Sequence, residues 1–238
     1  MKIVVMTDVH ANLPALRAVL KSINKDGYDI IVHTGDAIGI GPHPAECLDL
    51  LLNTPNIYFV MGNHDSYFSN GLPKPQPSWM SDGEVQHQLW THAQLEPELK
   101  TRMCKWPYML GIENDGIKAT FLHYVLDVSG QNFAPLIRQP TATDLDRSFS
   151  SLSASVVFYG HDHAPRDVQG SRRYVNPGSL GCSKDANARY CTVELSRQGF
   201  TVEHLVATYD RGNLLRAFEE RKVPERHFIQ KIFFGINS

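Results

Sequence analysis

No apolar run in this 238-residue sequence approaches the roughly 20 residues needed to span a bilayer, which excludes a helical membrane protein. Cysteine is scarce. Cys47, Cys104, Cys182 and Cys191 are scattered without a C-x-x-C pair, so neither a zinc knuckle nor a dithiol redox motif is read, and reduced, semi-buried thiols are expected. Neither sign of charge is in excess: 23 Lys+Arg against 25 Asp+Glu leave a formal net charge of −2, which disfavours binding along a nucleic-acid polymer. The short apolar N-terminal run reaches Asp8 without a small-residue cleavage pattern, so no secretory signal is read and a cytoplasmic protein is expected. Several nucleotide and hydrolase motifs are missing too. Gly39-Ile40-Gly41 has no third glycine, Pro44 standing in its place, and neither G-x-x-x-x-G-K-[ST] nor G-x-S-x-G occurs.

What remains is an ordinary globular composition, 42% hydrophobic and 20% charged, long enough for one core to bury roughly 70–75% of the unfolded surface. One domain over residues 1–238 is expected. β-Branched runs at Lys2 to Thr7, Asp29 to Thr34 and Ile57 to Met61 alternate with helical patterns at Asn12 to Asn24 and Pro44 to Leu52. In the first helix Leu13, Leu16, Val19, Leu20 and Ile23 share a face, with Asn12 as N-cap and Pro14 in the first turn. Crossovers of this length join parallel strands. Between about 66 and 107 the pattern changes to a proline-interrupted loop, then helical stretches at Gly83 to Leu95 and Glu96 to Cys104, which read as a helical insertion. Further strands are predicted at Ile117 to His123, Ser155 to Gly160, Arg172 to Val175, Tyr190 to Leu195 and Phe200 to Val206, enough for a second sheet packed on the first. The charged run from Arg216 to Arg226 reads as a solvated helix face.

The chemistry lies at the strand ends. Asp8-Val9-His10 ends the first strand, Gly35-Asp36 the second and Gly62-Asn63-His64-Asp65 the third, and two later strands deliver His123 and Gly160-His161-Asp162-His163. Residues two apart in extended chain point the same way, and open α/β sheets place their sites at the carboxyl ends of strands. Gly35 and Gly62 suit close backbone approach. The donors are nitrogen and oxygen, without thiolate. His33, His43, His87, His92, His204 and His227 are read as core or surface histidines.

In that order, D-x-H, G-D, G-N-H-D, a lone histidine and G-H-x-H, these blocks resemble the calcineurin-like metallophosphoesterases, over Met1 to about Val206. Asn176-Pro177-Gly178-Ser179 and the opening Asp8 to Leu16 look like the small prokaryotic phosphodiesterase branch. The resemblance implies a four-layer α/β sandwich, two mixed β-sheets flanked by helices. It implies a binuclear site, with Asp8, His10, Asp36 and His163 around one ion, Asp36, Asn63, His123 and His161 around the other, and Asp36 bridging. Two divalent ions against two carboxylates leave positive charge for a phosphate ester and a bridging hydroxide. Mn²⁺ is the first choice, and Fe, Ni, Co or Zn suit the same donors. His64 would not bind metal but would stabilise the transition state and protonate the leaving oxygen.

Two departures bear on this reading. The protein Ser/Thr phosphatases of the superfamily continue G-D-x-V-D-R-G, their later Asp orienting the catalytic histidine, whereas this chain has Gly39 and Ile40 at the Asp and Arg positions. Either Asp65 or a backbone group is left to orient His64. Tyr124 stands where the branch usually has glycine, open to three roles: crowding the second ion, stacking on a nucleobase, or packing as an ordinary aromatic. The expected activity is hydrolysis of a small-molecule phosphate ester, a phosphodiester before a phosphomonoester or dinucleoside polyphosphate. A non-catalytic interaction scaffold on the same fold is the competing class, and the complete ligand set favours the enzyme. Substrate identity and oligomeric state, homo-oligomer included, are left open.

Overall fold

Strand β1 (Lys2–Met6) is buried on both faces: Ile3 and Val5 enter one core, Val4 and Met6 another. That alternation makes it a central strand between two layers. The computed structural model describes residues 1–130 and 132–236. After β1 come α1 (Leu13–Asp26), β2 (Ile30–His33), α2 (Pro44–Leu52) and β3 (Ile57–Phe59), the β-α-β-α-β order expected. β1, β2 and β3 are parallel, with Met6 opposite His33 and His33 opposite Phe59, so their carboxyl ends lie together. Asn12 caps α1 by accepting from the Ala15 N–H at 3.1 Å, and Pro14 sits in the first turn, where a missing N–H costs nothing.

Three helices then cross outside the sheets: α3 (Asn63–Ser69), α4 (Asp82–Ala93) and α5 (Glu98–Met103). The chain next enters a second sheet through β4 (Met109–Asn114), β5 (Ile117–Leu122), α6 (Ala142–Ser148), β6 (Val156–Phe158), β7 (Arg166–Gln169) and β8 (Arg173–Asn176). It returns to the first with β9 (Asn187–Ser196) and β10 (Gly199–Thr208), then ends in α7 (Arg211–Glu220) and α8 (Arg226–Phe234).

The sheets have the orders β10-β9-β1-β2-β3 and β4-β5-β6-β8-β7. Each mixes parallel and antiparallel pairs. Ile3, Val5, Val32 and Val193 of the first meet Phe121, Phe158 and Val175 of the second, with Phe121 and Phe158 stacked at 5.1 Å. Helices cover the outer face of the first sheet, and Leu145 and Phe149 cover that of the second. The four-layer sandwich expected is the one present.

Sequence patterning missed β4 and β7, because their outward residues are exposed and their burial alternates. The charged run is no single helix face. It covers the end of α7, a turn with Val223 buried, and the start of α8, while Arg221 pairs with Glu46 and Arg226 with Glu219. Cys47, Cys182 and Cys191 are free and buried, whereas Cys104 is free and exposed. Among the described residues no helix is long and apolar enough to cross a membrane.

Candidate metal centre

All five motif-bearing strand ends converge on one point between the sheets. Asp8 Oδ1 lies 3.5 Å from His10 Nε2 and 3.3 Å from His163 Nε2, and those two nitrogens are 2.9 Å apart. A second group forms beside it. Asn63 Oδ1 is 3.1 Å from His123 Nε2 and 3.0 Å from His161 Nδ1, and these two nitrogens are 3.2 Å apart. Asp36 Oδ2 stands between the groups, 3.2 Å from His123 Nε2 and 3.8 Å from His10 Nε2.

These spacings fit metal ligands. Donors about 2.0–2.2 Å from one ion, at tetrahedral or octahedral angles, lie roughly 2.9–3.5 Å from each other. The ring orientations fit as well: His10 Nδ1 faces the Ile38 carbonyl at 3.3 Å and His123 Nδ1 the Thr34 carbonyl at 2.9 Å, so that in the neutral rings Nδ1–H donates there and each Nε2 turns its lone pair to the site. Asp8 Oδ1 is buried with no hydrogen-bond partner, while Oδ2 accepts from Thr7 Oγ1 and the His161 N–H. A buried carboxylate oxygen facing two imidazoles calls for positive charge, which a bound ion or a protonated ring can supply.

Electrostatics show the same demand for positive charge. Burial alone would raise Asp8, but His163 and its neighbours hold it well below the ordinary carboxylate range. Asp36 is likewise held low against its burial, first by His123 and then by His64. In turn, although burial opposes the charge, Asp36 lifts His123 to about 9 and Asp8 lifts His163 well above the ordinary range. Burial and His123 bring His161 down to about 4.

The backbone is strained to present these groups. Asp8, His10, Asp36, His161 and His163 all have φ between 46° and 68°, a left-handed conformation uncommon outside glycine and typical of functional sites. A Cβ on Gly62 would collide with the Asp36 amide and carboxylate, and one on Gly35 with the His123 ring. Both loops therefore need glycine.

The Asn176-Pro177-Gly178-Ser179 block, noted in the sequence only for its resemblance, does the clamping. Asn176 Nδ2 donates to the Gly160 carbonyl at 3.0 Å, Ser179 Oγ to the Asp8 carbonyl at 2.8 Å, and the Ser179 N–H to the His163 carbonyl at 3.1 Å. One segment thus joins the D-x-H and G-H-x-H loops. Asp65 does not reach the His64 ring. It accepts from the N–H groups of Gly62, Asp36 and Ala37, while burial and the Asp36 charge push it up to about 7 against the pull of those donors. Tyr124 is a packed aromatic: buried against Phe149, Tyr159 and His161, with its hydroxyl accepting from the Ile137 N–H. Cys182, read as an ordinary thiol, has Sγ within 4.8 Å of ligand atoms of His10 and His163. Phe233 of α8 lies 5.8 Å from His163. His33 and His87 are buried, as a core reading requires.

The profile of the calcineurin-like phosphoesterase superfamily domain matches residues 1–198. The chain belongs to that superfamily. A metallophosphoesterase from Sphaerobacter thermophilus is 26% identical, with TM-score 0.75 over 99% of each chain. A hypothetical protein from Pyrococcus horikoshii is 18% identical, with TM-score 0.81 over 100% of this chain and 99% of that one. An uncharacterised protein of Methanocaldococcus jannaschii is 27% identical over 98% of each chain. As a calcineurin-like phosphoesterase the chain is a hydrolase of the metallophosphoesterase type, and its histidine and aspartate groups could hold metal.

Proposed function

We propose that this chain is a two-metal phosphodiesterase acting on a small-molecule phosphate ester rather than on a nucleic-acid polymer. One observation carries the reading: Asp36 Oδ2 faces both imidazole groups, at 3.2 Å from His123 and 3.8 Å from His10, the position of a bridging ligand. Asp8, His10, Asp36 and His163 would hold one ion, and Asp36, Asn63, His123 and His161 the other. Mn²⁺ is the first choice, with Fe²⁺, Ni²⁺, Co²⁺ or Zn²⁺ acceptable to the same nitrogen and oxygen donors. When bound, two divalent ions supply charge that binds phosphate oxygens and lowers the pKa of water.

The chain supplies the rest. Asp8 and Asp36 contribute two negative charges while Asn63 and the histidines ligate as neutral groups, so the site keeps a net positive charge for an anionic ester. The Asp36 carboxylate also accepts from the His64 N–H at 2.9 Å through Oδ1, which ties the proposed proton donor to the proposed bridge. His64 gives a proton to the leaving oxygen; burial holds the free ring down at about 3 against the pull of Asp36, so this role needs the anionic ester beside it to favour the charged ring. Diester preference rests on two positions that offer no free arginine for a second phosphate charge. Ile40 occupies the arginine position of the protein phosphatases, and Arg166, the arginine nearest in sequence to the G-H-x-H block, is taken up by Asp162. The helices over residues 66–107 form the proposed insertion of a single domain and shape the substrate mouth.

The test compares bis-p-nitrophenyl phosphate with p-nitrophenyl phosphate, using chelator-stripped protein with and without Mn²⁺. Metal-dependent turnover favouring the diester is the expected result. Preference for the monoester would make the protein a phosphatase, and no turnover with any divalent ion would leave an interaction scaffold.

A further inference from the structure

We propose that Gln88, on α4, is the positioning residue for His64, holding its ring through Nδ1 in place of the aspartate that the protein phosphatases of the superfamily use. The inference rests on the role given to His64 above. Gln88 is buried, and its Nε2 lies 2.7 Å from His64 Nδ1, so in this orientation the amide donates to the ring. The other candidates are excluded by geometry. Asp65 is fully engaged by three backbone N–H groups. Gly39, at the aspartate position, has φ +84°, and a Cβ there would overlap the His64 ring at Nδ1 and Cγ. The motif position that could have carried a partner must stay bare, and the partner comes from a helix, 24 residues beyond His64.

The main chain of His64 is already fixed by its N–H bond to Asp36, so the ring torsions are what Gln88 decides. Edge contacts with His10 at 5.1 Å and Tyr67 at 5.8 Å limit the ring on its other sides. Gln88 is anchored in turn, because the neighbouring His87 Nδ1 bonds to the Pro224 carbonyl at 3.3 Å and ties α4 to the chain just before α8.

The amide has two ends, and the difference between them matters chemically. Gln88 Oε1 is buried without a partner. Turning the amide by 180° brings Oε1 to Nδ1, where it accepts Nδ1–H, and the two orientations have the same shape. The two forms fix opposite tautomers of the neutral ring: with Nδ1–H on Oε1 the bare nitrogen is Nε2, and with Nδ1 accepting from the amide NH₂ the hydrogen sits on Nε2.

Gln88→Leu removes both ends of the amide at similar volume, and Gln88→Glu keeps an acceptor. For each, kcat and KM on bis-p-nitrophenyl phosphate are measured in Mn²⁺-loaded protein, together with ion content. The ¹⁵N shifts of His64 are measured in Zn²⁺-loaded, histidine-labelled protein, assigned by comparison with His64→Ala. Gln88→Leu should lower kcat roughly 10–100-fold, the usual cost of losing an outer-shell partner, with KM and ion content within about twofold of wild type. Gln88→Glu should recover most of that loss, and wild-type His64 should show Nδ1–H, giving way to averaged tautomers in Gln88→Leu. Wild-type kcat in Gln88→Leu, equal loss in Gln88→Glu, or unchanged His64 shifts in Gln88→Leu would each overturn the assignment. If wild-type protein shows no metal-dependent turnover, the two-metal reading fails, and the ¹⁵N comparison still decides whether Gln88 holds His64.

Discussion

The Asp65 carboxylate accepts the backbone N–H of Asp36 at 2.8 Å, so the first turn of α3 holds the loop that carries the proposed bridging ligand. A second oxygen of the same group takes the Ala37 N–H at 3.0 Å. The third sequence block thereby positions the second, although 28 residues separate Asp65 from Ala37.

Asp65→Asn tests that relationship. It keeps the shape but turns an NH₂ group toward a backbone N–H, which costs about 1–3 kcal/mol for the unpaired donors. Stability should fall by that amount, and affinity for both ions by roughly 10–100-fold, as for other outer-shell substitutions. Calorimetric metal titration checks it. Wild-type affinity in a folded variant would remove Asp65 from the support of the centre.

Asp36→Asn weakens the proposed shared ligand. Occupancy of both ions should decline together, read by elemental analysis after dialysis against limiting metal. Loss of one ion alone would contradict bridging.

His64→Ala should leave both ions bound while turnover drops by roughly 10²–10⁴-fold, the usual worth of a positioned general acid. Unchanged turnover would take His64 out of the mechanism.

Acid sensitivity follows from histidines outside the ligand set. Burial first, and then Lys100 beside His92, lowers His92 to about 4, and burial lowers His87 to about 4 despite the Pro224 carbonyl. Their ordinary value is 6.5, so as pH falls through the window from 6.5 to about 4 the unfolded chain takes up protons that the folded one refuses. Stability should therefore drop across that window and flatten below it. The urea midpoint of metal-free protein should be lower at about pH 5 than at about pH 7, and His92→Gln should reduce the difference. Asp65, raised to about 7, works in the opposite direction across this window, so the His92→Gln comparison decides: an undiminished difference would show that His92 is not held neutral.

What the sequence by itself determined is local and ordered. The continuous apolar run from Ile3 to Met6 and the 3.6-residue spacing from Leu13 to Ile23 define elements whose partners lie close along the chain, and five blocks of Asp, Asn and His at strand ends name the candidate donors. Each of these signals sits within a few residues, where side-chain period and residue type are enough. Tertiary structure alone decided the rest. That Asp36 faces both imidazole groups depends on two sheets packing through Val5 and Phe158, and no spacing in the chain encodes that distance. Gln88 beside His64 is a neutral polar residue with no motif around it, and Ser179, though it stands in the N-P-G-S block, gives no sign in sequence of the bond to the Asp8 carbonyl that folding provides. β4 and β7 escaped for a related reason: a half-exposed strand is defined by the ladder it joins more than by its own hydrophobicity.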